Sequence, residues 1–219
     1  LLGWTDKRGM VTSNSNLALY RCSVLGGDGL HHCSSPHDGG DGLFASGCQL
    51  WITGSTVQGG VGGNSCCQYW PADGGDGMVL DASAAWEIDS EFRGGLGGYM
   101  DGAFCGRYYG ADGEDVVLQN GATLSELTGP ARSIDVPGVV HVDDEFTVRV
   151  QGEAGDRVWM GRSGNGDWRP FPAGNGVLHL GAPAALWFWG VVPESGTLER
   201  AVSTEALLGS SADRTFHLQ

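Results

Sequence analysis

Gly42-Leu-Phe-Ala-Ser-Gly-Cys-Gln-Leu-Trp51-Ile-Thr-Gly-Ser55-Thr-Val57-Gln-Gly59-Gly60-Val-Gly62-Gly63 lies over Gly77-Met-Val-Leu-Asp-Ala-Ser-Ala-Ala-Trp86-Glu-Ile-Asp-Ser90-Glu-Phe92-Arg-Gly94-Gly95-Leu-Gly97-Gly98 without a gap, at an offset of 35. Trp51 meets Trp86, Ser55 meets Ser90, and the closing Gly-Gly-x-Gly-Gly coincides throughout. A shorter copy precedes the pair, from Leu17 to Gly29, and a worn copy follows, from Val116 to Gly129, which makes about four units. Polar stretches run between them, and each returns through a second glycine cluster: Gly39–Gly42, Gly74–Gly77 and the weaker Gly110–Gly113.

Within each unit apolar residues alternate with small or polar ones, β-branched and aromatic types are frequent, and no amphipathic helical stripe appears. The units therefore read as strands separated by glycine corners. A unit this short cannot bury its own apolar face and has to stack on the next one. The expected fold is all-β: a right-handed parallel β-helix of about four coils, followed by a small β-sandwich.

The boundary follows from composition. Residues 1–129 carry 27 of the 39 glycines, all six cysteines, and 15 acids against 5 bases, whereas residues 130–219 carry 12 glycines, no cysteine, and 11 acids against 7 bases. The expected domains are a Gly-rich β-helix at 1–129 and a β-sandwich at 130–219. In the second, strand-like runs at Val139–Val142, Phe146–Val150, Arg157–Arg162, Val177–Leu180, Leu186–Val192, Leu198–Val202 and Thr215–Leu218 are separated by turn signals.

A net charge of −14 with a single lysine, Lys7, offers no footprint for nucleic acid or anionic lipid. No run is long and apolar enough to insert into a membrane. An even number of cysteines in an acidic, lysine-poor, glycine-rich chain points to an oxidising setting, outside the cell or at its surface.

The texture of Leu17–Gly129, apolar strand segments punctuated by Gly-Gly-Asp-Gly and Gly-Gly-x-Gly-Gly, resembles the Gly-rich β-helix regions of large exported proteins of planctomycetes and myxobacteria. The run Asp144-Glu-Phe-Thr-Val-Arg-Val-Gln-Gly152-Glu-Ala-Gly155, then Gly176-Val-Leu-His-Leu, Pro193-Glu-Ser-Gly196 and Phe216-His-Leu-Gln219, looks like the immunoglobulin-like module that closes many of them. The resemblance implies an exported protein and an attachment role, and it carries over no catalytic residue. The module extends beyond the segment matching Gln219, so the sandwich is expected to be one strand short.

Candidate chemistry is sparse. Cys33, the Cys66-Cys67 pair and Cys105 precede successive glycine clusters, which on stacked coils puts them side by side; the expected bridges are Cys33–Cys66 and Cys67–Cys105. Cys22 and Cys48, on strand segments, are left as buried thiols or a pair of their own. His31, His32 and His37 are the donors for a transition metal, without standard spacing. Asp41, Asp76 and Asp112 recur at 35 and 36 residues and would stack in a column, for which calcium is the candidate ion and ordinary Asp-Gly turn chemistry the plainer account. No other cofactor is expected.

An enzyme reading would rest on Asp81, Glu87, Asp89 and Glu91, with Arg93 and Arg107 nearby. Their counterparts one unit earlier are Ser46, Ile52, Gly54 and Thr56, and an acidic surface repels polyuronates. Trp187 and Trp189 share one strand face, suited either to sugar stacking or to filling a core. The sequence thus leads to a non-enzymatic exported structural or assembly component of the cell surface or of an extracellular filament. Its expected partners are other copies of itself, by head-to-tail strand addition, or neighbouring surface proteins. The alternatives are a carbohydrate-binding adhesin and a polysaccharide-degrading β-helix.

Overall fold

Apolar residues that alternate along a short strand are buried only if the next repeat covers them, and the pairing registers show that this happens. The computed structural model describes residues 8–33, 35–66, 69–102, 106–129, 131–137, 144–163, 166–171, 176–180, 184–204 and 217–218. The chain divides into two compact units, Leu1–Thr128 and Gly129–Gln219. Regular structure is all-β, with strands numbered here in chain order.

The first unit is a parallel β-solenoid of about three turns. One sheet stacks Met10–Ser13 (β1), Leu43–Ser46 (β4), Met78–Asp81 (β7) and Val116–Gln119 (β12). A second stacks Asn16–Tyr20 (β2), Gln49–Thr53 (β5), Ala84–Ile88 (β8) and Thr123–Glu126 (β13). A third stacks only Ser23–Leu25 (β3), Thr56–Gln58 (β6) and Glu91–Arg93 (β9), so the fourth coil stops after two sides. The 35-residue repeat is the register itself: Leu43 pairs with Met78, Trp51 with Trp86 and Val57 with Phe92.

The inward rows of all three sheets meet in one core containing Leu19, Val24, Leu43, Leu50, Ile52, Val57, Met78 and Leu80. Each such side chain, fully buried, contributes roughly 1.5–3 kcal/mol. On the opposite face of the second sheet Trp51 and Trp86 stack, with ring centroids 6.4 Å apart.

Glycine clusters were expected at the corners, and the structure places the corners elsewhere. Between the first and second sheets the chain turns on Asn14, Gly47, Ala82 and Asn120, and between the second and third on Arg21, Gly54 and Asp89, all with φ between +46° and +64°. After every corner but Asn120, which Gly121 follows, the next residue folds a hydroxyl or thiol back to the carbonyl two residues earlier: Ser15 to Ser13, Cys48 to Ser46, Ser83 to Asp81, Cys22 to Tyr20, Ser55 to Thr53 and Ser90 to Ile88. The same hydroxyls accept a backbone N–H from the preceding coil: Ser83 from Cys48 (2.9 Å), Ser55 from Cys22 (3.1 Å) and Ser90 from Ser55 (3.3 Å). Cys22 and Cys48 are thus corner residues in the serine ladders. Both are free thiols, Cys48 buried and Cys22 exposed, and they are not paired with each other.

The second unit holds two three-stranded antiparallel sheets. One joins Ser133–Asp135 (β14), Glu145–Gln151 (β15) and Thr197–Ser203 (β20); the other joins Arg157–Ser163 (β16), Ala184–Val191 (β19) and His217–Leu218 (β21). Phe146 and Val148 from the first share a core with Met160 and Trp189 from the second, and Trp187 packs against it. Both tryptophans of β19 therefore fill the core. Gly166–Phe171 (β17) and Gly176–Leu180 (β18) form a separate antiparallel pair. The run expected at Val139–Val142 lies outside the described residues.

Candidate functional site: the glycine side and its loop end

After the third sheet each coil runs outward through one glycine segment (26–30, 59–63, 94–98), turns at a loop, and returns through another (37–42, 72–77, 110–115). Outbound segments lie side by side from coil to coil, return segments do likewise, and the two layers face each other. The backbone hydrogen bonds of these segments follow a period of three, the repeat of an extended polyproline-II-type chain.

The first position donates within its layer to the next coil, as Gly26 does to Gln58, Gly59 to Arg93, Gly62 to Leu96, Gly39 to Asp73 and Gly77 to Glu114. The second donates across the layers: Gly40 to Gly27, Gly60 to Gly40, Gly75 to Gly60, Gly95 to Gly75 and Gly113 to Gly95. The third donates to an aspartate wherever the preceding coil supplies one in register. Val61 donates to Asp28, Asp73 to Asp38, Asp76 to Asp41, Ala111 to Asp73 and Glu114 to Asp76, at 2.7–3.2 Å.

The glycines serve this stacking rather than any turn. A Cβ on Gly60 would sit 2.1 Å from the Gly27 carbonyl oxygen, on Gly75 2.1 Å from that of Gly40, and on Gly95 1.9 Å from that of Gly60. None of the three has a positive φ. Only a residue without a side chain lets two backbones approach this closely.

The aspartates expected to form a column divide accordingly. Asp76 lies over Asp41, but the residue over Asp76 is Glu114, whereas Asp112 falls in register with Gly74. The third return segment is displaced because its loop is longer by three residues, one full backbone period. Asp112 and Asp115 instead end the stack: their Oδ1 atoms accept the N–H groups of Gly97 (2.8 Å) and Gly94 (2.9 Å). In the earlier coils the equivalent N–H groups donate to a carbonyl of the next coil.

The histidines are likewise built into the ladders. His31 Nδ1 accepts the Asn64 N–H at 2.8 Å, and Asn64 Oδ1 in turn accepts the Tyr99 N–H at 2.9 Å. The His37 backbone donates to Leu30 and accepts from Gly63. Among the described residues no group of three or more His, Cys, Asp or Glu is arranged to hold a metal ion.

The four carboxylates weighed for catalysis are spread over successive walls of one coil. Asp81, in the first sheet, accepts hydrogen bonds from Asn120 and Ser46, which hold its carboxyl below the usual range. Glu87, in the second, continues the inward row of Leu19 and Ile52 and pairs in register with Glu126. Partial burial pushes its carboxyl up, the bond from the Ser90 N–H opposes this, and Glu126 and Asp89 add to the rise. Asp89 forms a corner, and Glu91 in the third sheet is paired with Arg93.

At the loop end each coil is closed by an equivalent backbone bond: His37 to Leu30, Ala72 to Gly63 and Gly110 to Gly98. The enclosed loops, 31–36, 64–71 and 99–109, lengthen in that order. Cys33 and Cys66 join the first two through a disulfide with Cα atoms 4.5 Å apart, the bridge expected from their spacing. Cys67 and Cys105 lie outside the described residues. The third loop contains a hairpin of Tyr99–Gly102 (β10) and Gly106–Tyr109 (β11), in which Tyr99 pairs with Tyr109.

Trp70 packs edge-on against Tyr108, centroids 4.9 Å apart. Tyr69, Trp70, Tyr99, Tyr108 and Tyr109 are all exposed, Trp70 and Tyr109 by about 70%. The sequence reading passed over these residues. Their signal was the placement of four of the five tyrosines in the polar stretches between glycine clusters. No protein family, curated protein or solved structure matches the chain.

Proposed function

We propose that the protein is a non-enzymatic, exported structural component of the cell surface. In this reading the solenoid is a stiff scaffold and the second unit is the immunoglobulin-like attachment module of the resembling exported proteins. Neighbouring surface proteins or further copies of the chain are its partners. The observation that carries the reading is the closure of the glycine side. Nearly every third backbone donor there has a carboxylate built in to receive it, and the last coil ends on Asp112 and Asp115. Such construction fixes shape, because buried or crowded backbone groups left unpaired are costly.

Support for export comes from the Cys33–Cys66 bridge between adjacent coils, a kind of cross-link that persists in oxidising compartments. Antibody labelling of intact and permeabilised cells of the source organism tests the location, and labelling confined to permeabilised cells overturns it. A panel of polysaccharides incubated with the purified chain tests the non-enzymatic part; release of new reducing or unsaturated ends would falsify it.

A further inference from the structure

We infer that Asp112 and Asp115 are a built-in stop: they bar any further coil, of this chain or of a second copy, from stacking on the last glycine segments, and so close the solenoid to head-to-tail growth. The inference rests on the backbone pattern of the glycine side and holds wherever the cell places the protein. A coil that ends on unpaired donors is a template for the next one, and natural sheets carry devices that blunt such edges.

The block is first a matter of space. The positions equivalent to Asp112 and Asp115 in the two earlier return segments are Gly39 and Gly42, then Gly74 and Gly77. A Cβ at these glycines would point into the following coil. At Gly39 it would lie 2.0 Å from the Gly60 carbonyl oxygen and at Gly74 2.0 Å from that of Gly95, while at Gly42 and Gly77 it would lie 2.7 Å from those of Gln58 and Arg93. Glycine is therefore required at both places wherever another coil follows. A coil laid over Asp112 and Asp115 would meet two such Cβ atoms.

Hydrogen bonding closes the same end. Gly59 and Gly62 donate to Arg93 and Leu96 of the next coil, whereas the equivalent Gly94 and Gly97 donate to Asp115 Oδ1 at 2.9 Å and to Asp112 Oδ1 at 2.8 Å. The carboxylates thus take the donors that an incoming outbound segment would need. Their spacing of three residues equals that of Gly94 and Gly97, one turn of the extended chain. Loop 99–109, three residues longer than loop 64–71, sets the phase that lays them over Gly74 and Gly77.

Three double variants of the purified full chain test this. Asp112→Gly with Asp115→Gly removes both blocks. Asp112→Asn with Asp115→Asn removes the charge and keeps the accepting oxygen and the Cβ. Gly74→Asp with Gly77→Asp places the stop one coil early. In the first, the Gly94 and Gly97 amides of the dilute chain should exchange about tenfold or more faster than in the native protein. Its mass by light scattering should rise with concentration above that of the native protein. The asparagine variant should match the native protein in both measurements. The early stop should abolish amide protection at Gly95 and Gly98, which donate to the second coil, or the solenoid's urea transition altogether. Native protection in the early-stop variant, native exchange or native mass in the glycine variant, or association of the asparagine variant overturns the inference.

Discussion

Three walls of each coil are held by side chains, and the fourth by backbone against backbone. On the strand walls Leu43, Leu50 and Val57 project into a shared core, and a substitution leaves a hole into which neighbours can partly relax. On the glycine side Gly40, Gly60, Gly75 and Gly95 are linked through successive N–H to carbonyl bonds, and at Gly60, Gly75 and Gly95 no space is left for even a methyl group. The same coil therefore tolerates changes of size on one side and almost none on the other. Stability comes from burying apolar area in the first case and from completing every hydrogen bond in the second.

That contrast is tested most sharply by Gly75→Ala. Its Cβ would meet the Gly40 carbonyl oxygen at 2.1 Å and carbon at 2.4 Å, and neither can move without disturbing the bonds of Gly40 to Gly27 and of Gly60 to Gly40. The expected cost is about 4 kcal/mol or more, read as loss of the solenoid's unfolding transition in urea. Leu50→Ala, a much larger change in volume, should cost about 3 kcal/mol and leave a cooperative transition. If Leu50→Ala proved the more damaging of the two, the distinction between the walls would fail.

Smaller effects sharpen the comparison at the corners. Ser83→Ala removes the acceptor of the buried Cys48 N–H and should lower stability by about 2 kcal/mol, with faster amide exchange confined to the Cys48 corner. Ala82 holds φ +46°, where an L-residue is strained by roughly 1–2 kcal/mol and the added chain entropy of glycine returns part of the gain. Ala82→Gly should therefore stabilise by about 0.5 kcal/mol, measured as a higher denaturant midpoint at unchanged slope.

The smallest expected effect is a dependence on pH. The raised carboxyl of Glu87 binds protons more readily in the folded chain than in the unfolded one, so its ionisation opposes folding as pH rises through the folded value. Glu87→Gln should raise stability slightly at neutral pH and lose that advantage below the unfolded carboxylate range, near pH 4. Asp156 runs the other way. Its carboxyl is lowered by the Arg132 guanidinium 2.9 Å away, and the stability it contributes above the unfolded range is lost as pH falls through the folded value. The chain's acid unfolding profile contains both, so the Glu87→Gln measurement is made as a difference from the native protein.

The stacked strands were legible because pairing in register is the repeat itself: Trp51 over Trp86 could be read from spacing alone. The corners were not, because residues as different as Asn14, Gly47, Ala82 and Asn120 occupy equivalent places, and only backbone geometry unites them. The glycine clusters were visible but misassigned, since turn-forming and close-packing glycine look alike in a sequence. Asp112 was aligned two residues out of register because Gly110-Ala-Asp-Gly imitates Gly74-Gly-Asp-Gly, whereas the segment stacked on the latter is Asp112-Gly-Glu-Asp115. The aromatic loop end left its only trace in where tyrosine occurs. Periodicity, which guided the reading of the coils, says nothing of segments that interrupt it.

The bonds that close the loops, at Leu30 with His37, Gly63 with Ala72 and Gly98 with Gly110, act as a seam. Everything on the coil side of it must keep its three-residue phase and its glycines. Everything beyond it can differ from coil to coil, as three loops of different length already do. Random insertion or exchange of loop sequences in a library should therefore be survivable outside the seam and lethal inside it. The scaffold in that sense separates what selection can vary from what it must preserve, and new surfaces can be installed at the loop end without redesigning the coils beneath them.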